Sequence, residues 1–157
     1  MRRVFRALLC ALPLLAAGCG DASGPGDPDL TEVTFAPSLG VDISTMTRVG
    51  DGVYIKDLIP GDGAVVTANK VVSTRYSGFL ANGTEFQNNL TAPDPFPFVL
   101  GQRRVIAGWD QGIPGMKVGG TRLLVIPPSL GYGAQGRDVI PPNAVLVFQV
   151  KVVAQSS

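Results

Sequence analysis

Val71-Val72-Ser73-Thr74-Arg75-Tyr76-Ser77-Gly78-Phe79-Leu80 runs directly into Ala81-Asn82-Gly83 and then Thr84-Glu85-Phe86. The first ten residues are rich in β-branched and aromatic side chains, which suit a pleated, half-buried surface. Asn82-Gly83 is a favoured two-residue hairpin turn, because both positions tolerate positive φ. The stretch reads as a strand, a tight turn and the start of a return strand. An antiparallel sheet follows.

The flanking sequence extends this pattern in both directions. Upstream, Val53 to Ile59 alternates loosely and stops at the turn Pro60-Gly61-Asp62-Gly63. Downstream, Phe96-Pro97-Phe98-Val99-Leu100 is extended, with Phe96 and Phe98 on one face by the period of two. Pro97 confines that strand to an edge or a bulge. Val105 to Gly112 is the one good helix candidate: Val105 and Trp109 stand four apart on one face, with Ile106 beside them, and Gly112, Pro114 and Gly115 close it. Thr121 to Ile126 is a strand ended by Pro127-Pro128. A Gly-rich loop with Tyr132 follows, then Pro141-Pro142 and a last strand from Val145 to Val153. There are no internal repeats. The expectation is a single α+β domain.

Composition narrows the chemistry. The chain has 157 residues, 45% of them apolar and only 16% charged, enough for one real core and too few charges for a disordered tail. Thirteen basic against 12 acidic residues make no field that would attract nucleic acid. Histidine is absent, which excludes Ser-His-Asp and Cys-His nucleophile systems and imidazole-based zinc sites. No metal or cofactor is expected.

The N-terminus reads as an export leader. Arg2, Arg3 and Arg6 precede an uncharged run from Ala7 to Gly18, which is too short to span a membrane. Leu15-Ala16-Ala17-Gly18-Cys19 then resembles the lipobox of bacterial lipoproteins, with Leu15 one place earlier than usual. The expected division is 1–18 signal peptide, 19–37 flexible tether and 38–157 folded domain, with its core at about 52–153. Cys19 is the expected lipidation site. Cleavage before it removes Cys10 and three of the 13 basic residues but no acidic one, so the mature net charge is −2. Gly, Asp, Pro and Ser dominate the tether, which would hold the domain about 20–25 Å from the lipid. Leu39, Val41, Ile43 and Met46 suggest a strand or arm docking on the domain.

Six segments, in order, are familiar as a set. They are Val71 to Gly78, Asn82 to Phe86, Pro95 to Gly101, Val105 to Gly112, Tyr132-Gly133 and Ile140 to Phe148. Over about 52–153 the series resembles the FKBP-type peptidyl-prolyl cis/trans isomerases. The resemblance implies an antiparallel sheet of five to six strands wrapped around one short helix. It implies catalytic positions at Tyr76, Phe86, Gln87, Ile106, Trp109 and Tyr132, and substrate-binding positions at Phe96, Phe98, Val105, Ile140 and Phe148. Trp109 would be the floor, and the Ile106 N–H and Tyr132 hydroxyl would bind the peptide. Taken singly, Phe98 and Phe148 read as core. Two departures stand out: Gln87 occupies a position where the family commonly has Asp, and the loop from Tyr132 to Pro141 is one residue shorter than in well-known members. Arg137 and Val139 lie in that loop.

Such a site suits bond rotation. An Xaa-Pro amide turns over a barrier of about 20 kcal/mol because its planar form has C–N double-bond character. Twisting removes part of the charge separation, so an apolar pocket favours the twisted form relative to water. No nucleophile, metal or general base is required. The implied function is isomerisation of Xaa-Pro bonds in exported proteins by a monomer lipid-anchored in the bacterial cell envelope. The anchor would lie on the periplasmic side or in the outer membrane of a Gram-negative cell. The implied partners are Pro-containing polypeptides and macrolides of the tacrolimus or rapamycin type, with no nucleic acid. Two alternatives come from other classes: a non-catalytic module holding Pro-containing segments, which Gln87 supports, and a carbohydrate-binding module, which the ordered motifs do not.

Overall fold

The computed structural model describes residues 26–156. Cys10, Cys19 and the segments read as an export leader lie outside the described residues. No helix among the described residues is long and apolar enough to cross a membrane.

Seven strands make one antiparallel sheet: β1 (Thr47–Val49), β2 (Val53–Ile59), β3 (Val71–Leu80), β4 (Glu85–Asn88), β5 (Phe96–Val99), β6 (Thr121–Ile126) and β7 (Leu146–Ser156). The order is β1-β2-β6-β7-β3-β4, with β5 also on β3. The strand beyond the expected five to six is β1, which pairs with β2 through Val49 opposite Val53. The Asn82-Gly83 hairpin also differs from expectation. Gly83 N–H donates to the Leu80 carbonyl and Leu80 N–H to the Thr84 carbonyl, each at 2.9 Å. Three residues, Ala81 to Gly83, therefore form the loop, with Gly83 at φ 89° supplying the left-handed position.

β3 is the spine of the site. Along one edge it pairs with β7 over its whole length. Along the other it is shared: Val71 to Thr74 face β5 and Ser77 to Phe79 face β4. Between the two, the Asn89 side chain acts as a missing piece of strand. Its Oδ1 accepts from Tyr76 N–H at 2.6 Å, and its Nδ2 donates to the Thr74 carbonyl at 3.3 Å. The Arg75 guanidinium donates to the carbonyls of Asn89, Leu90, Ala92 and Pro93, pinning the loop between β4 and β5.

The one α-helix among the described residues, α1 (Ala107–Gly112), lies across the concave face. It starts two residues later than expected, because Ile106 is an extended N-cap, so Val105 and Trp109 do not share a helical face. Gly108 and Gly112, one helical turn apart, let its backbone rest on β6. A Cβ at Gly108 would stand 2.4 Å from Ile126, and one at Gly112 2.3 Å from Leu124. Gly112 is thus a packing residue as well as the helix end. Arg122, on the same face of β6, is 5% exposed and holds Asp57 of β2 through Nε at 2.6 Å and Nη2 at 3.1 Å. Its Nη1 donates to the Gly112 carbonyl at 2.8 Å, tying sheet and helix end together.

The convex face carries a second core of Leu123, Val125, Val145 and Val147, with Tyr54 and Phe79 beside it. Leu30, Val33, Phe35, Leu39, Val41, Ile43 and Met46 cover it. This corrects the expected boundary between tether and domain. Within 26–37, Leu30 is 5% exposed, Asp27 accepts from Ser129 N–H at 2.9 Å and from its hydroxyl, and Ala36 N–H donates to the Ala81 carbonyl at 2.8 Å. Among the described residues, packing starts at Asp27. The arm at 39–46 docks as expected, but through two 3-10 turns, Pro37–Leu39 and Ile43–Thr45, rather than as a strand. Within 26–37 only Leu30, Val33 and Phe35 are large apolar residues, too few to set a period in a segment rich in Asp and Pro, so the packing of that part was not legible in the pattern.

Candidate functional site

The concave face opens into a cleft of about 320 Å³ between α1, β3 to β5 and the loop joining β6 to β7. Its floor is Trp109, 3% exposed on the buried face of α1. Tyr76 meets the indole edge-on with ring centroids 4.9 Å apart, and Phe148 does so at 5.3 Å. Both come from inward positions of paired strands, β3 and β7, so the sheet register fixes this three-ring contact. Val105 and Ile106, leading into α1, form one wall; Phe96 and Tyr132 contribute others. Ile106 is the N-cap of α1, and its own N–H donates to no partner among the described residues.

Eight of the eleven expected site residues line this cleft: Tyr76, Gln87, Phe96, Val105, Ile106, Trp109, Tyr132 and Phe148. Phe86 and Ile140 instead line an adjoining hollow of about 210 Å³, which shares Gln87, Tyr132 and Arg137 with the cleft. Phe86 still supports the main site, since its ring packs edge-on against Phe148 at 5.5 Å. Phe98 lines neither. At 6% exposure it stacks on Phe96 at 5.7 Å and backs Trp109 at 5.6 Å, so it is core behind the pocket. Its neighbour two residues earlier, Phe96, sits at the strand end and is 38% exposed.

The electrostatics are simple. Burial pushes the Tyr76 hydroxyl above the ordinary tyrosine range, and nearby Tyr132 adds to the shift. The Tyr76 phenol stays a neutral donor at neutral pH. No group of three or more metal-ligating side chains occurs among the described residues. The arrangement offers an apolar, aromatic slot with a few hydrogen-bond donors at its edges and no acid-base pair.

A family model for the FKBP-type peptidyl-prolyl cis-trans isomerase matches residues 63–153. The chain belongs to this family. The relatives agree: it is 45% identical over 103 residues to an FK506-binding protein of Neisseria meningitidis serogroup B, covering 65% of this chain and 94% of that one. It is 48% identical over 104 residues to a 46 kDa FK506-binding nuclear protein of Spodoptera frugiperda, where it spans only 25% of the relative. Among solved structures it resembles FkpA from Escherichia coli, at 36% identity with a TM-score of 0.65, covering 71% of this chain and 51% of that one. A peptidyl-prolyl cis-trans isomerase from Pseudomonas syringae pv. tomato gives 35% identity and a TM-score of 0.64, with 71% and 81% coverage.

Two lining residues escaped assignment from the family pattern. Arg104 and Arg137 both line the cleft. Arg104 simply precedes the helix motif, and nothing in the sequence distinguishes it from a solvated surface charge. Arg137 stands in the short loop, whose path the structure resolves: Arg137 and Ile140 exchange backbone hydrogen bonds at 2.9 and 2.7 Å across a tight turn. The turn leaves Val139 72% exposed and lays the Arg137 guanidinium over the Tyr132 ring, 5.8 Å from its centroid.

Proposed function

We propose that this protein catalyses cis/trans rotation of Xaa-Pro bonds in exported proteins while anchored by a lipidated Cys19 in a bacterial cell envelope. The observation that carries the catalytic part is the aromatic slot over Trp109 with the unpartnered Ile106 N–H at its edge. A prolyl ring on the indole would lose water, and that N–H would hold the peptide while the less polar twisted amide forms. Orientation and desolvation suffice, because no bond to another group is made. Anchoring rests on the lipobox-like run ending at Cys19. From Cys19 to Asp27, the first packed residue among those described, the chain spans at most about 28 Å, so the domain would work close to the membrane surface.

The reading is tested with protein beginning at Gly20, so that the packed arm is retained. Exchange between cis and trans Leu-Pro peptide should rise with enzyme concentration and be blocked by a macrolide of the tacrolimus type. Cys19→Ser in the full chain should block processing or release the protein to the soluble envelope fraction. Normal processing with retention at the membrane would refute the anchor alone. A second reading is favoured by Gln87, which leaves the cleft without a carboxylate: the same slot would bind prolyl segments without useful turnover. Saturable peptide binding with no rate above background would establish it.

A further inference from the structure

The cleft of this family member carries an unbalanced charge. Two arginines line it, Arg104 on the segment leading into α1 and Arg137 on the β6–β7 loop, and neither Asp nor Glu does. Arg104 makes no ion pair or hydrogen bond among the described residues. Arg137 is only partly engaged. Its Nε lies 3.5 Å from Asp138, with the two side chains 67% and 83% exposed, and its face rests on Tyr132. Asp138 lines the adjoining hollow, not the cleft, so it offsets one of the two charges in part. Gln87, between the two hollows, presents an uncharged amide.

We propose that these two arginines make the site selective for prolyl segments with an acidic side chain flanking the proline. This rests on the isomerase reading above. The arginines stand on different elements around the Trp109 floor, so a peptide whose proline covers the indole passes guanidinium on its way in or out. A guanidinium pairs with a carboxylate through two parallel hydrogen bonds, and it repels Lys or Arg at the same place. Apolar walls on one side reduce the screening that weakens such pairs on open surface.

The test compares four peptides differing only at the residue before proline: Glu, Gln, Leu and Lys. Rates are read by NMR exchange, and affinities by fluorescence of Trp109, the only tryptophan in the chain, which lies in the cleft. At low ionic strength the Glu peptide should exceed the Lys peptide by about three- to tenfold in kcat/KM and in affinity, as expected for one or two partly screened pairs. The ratio should shrink in 0.5 M salt, where the screening length is only a few ångströms. It should fall to near one in the Arg104→Gln/Arg137→Gln double variant and rise in Asp138→Asn. Because each protein supplies its own ratio, a change in its overall rate does not matter. A ratio near one in the wild type, or one that survives the double substitution, overturns the proposal. If no peptide is accelerated, the isomerase reading fails, and the affinity ratio alone decides the charge preference.

Discussion

The rings of Tyr76 and Trp109 meet edge to face at 86°, with centroids 4.9 Å apart, joining β3 to the helix. Binding floor and core are therefore the same object. Trp109→Ala should abolish isomerisation and destabilise the fold by about 3–5 kcal/mol, read by urea denaturation. An alanine variant of unchanged stability would mean that the indole is not core.

The buried Tyr76 phenol gives a pH signature. Tyr76 ionises above the ordinary tyrosine range because burial penalises its charged form. The stability gained by keeping it neutral is fully present below about pH 10 and is lost as pH rises through its folded value. Activity and stability should both be flat from pH 6 to 9, since no histidine is present. Alkaline unfolding above pH 10 should be blunted by Tyr76→Phe. Tyr132→Phe removes one hydroxyl from a residue lining the cleft and, if that hydroxyl binds the peptide, should slow exchange about two- to tenfold. A bell-shaped pH profile near neutrality would contradict this account.

Gly78 lies directly under two site rings. A Cβ there would stand 2.6 Å from Phe148 and 2.8 Å from Phe86. Gly78→Ala should push both rings from their edge-on contact, costing about 1–3 kcal/mol and lowering activity. Phe86→Ala should relieve the crowding, so the double variant should be more stable than the sum of the single effects predicts. Additive denaturation energies would show that the rings do not meet there.

Gln87→Asp tests the missing carboxylate. The side chain is exposed at the cleft, so stability should change by no more than about 0.5 kcal/mol. If the amide limits turnover, the rate for the Leu-Pro peptide should rise. An unchanged or lower rate would show that the amide is no handicap.

Leu30 plugs the convex core from within the segment that the composition marks as tether. Leu30→Ala, or removal of residues before 38, should lower stability by about 2–3 kcal/mol while the folded fraction keeps its activity, since no arm residue lines the cleft. Thermal melts with the rate normalised to folded protein separate these effects. Unchanged melting would mean that the arm is dispensable.

Much of this molecule was legible in one dimension. Val71 to Leu80 declared the spine, because β-branched and aromatic residues in a run have few other uses. Trp109 with the closing Gly112 declared a helix, but the face argued from Val105 and Ile106 failed, because the helix begins only at Ala107 and both residues precede it. With the family motifs, that was enough to name the residues of the slot, although Phe98 proved to back it and Phe86 and Ile140 to line its annex. Other features depended on the tertiary structure alone. Asn89 stands in for a strand only because β4 and β5 share one edge of β3. Gly108 and Gly112 are indispensable only because β6 lies against them. Leu30 is core only because the arm crosses the convex face, and Arg104 and Arg137 become cleft residues only when two distant loops converge. Local patterns report which face of an element is apolar; what meets that face is decided by contacts far apart in the chain, which leave no period to read.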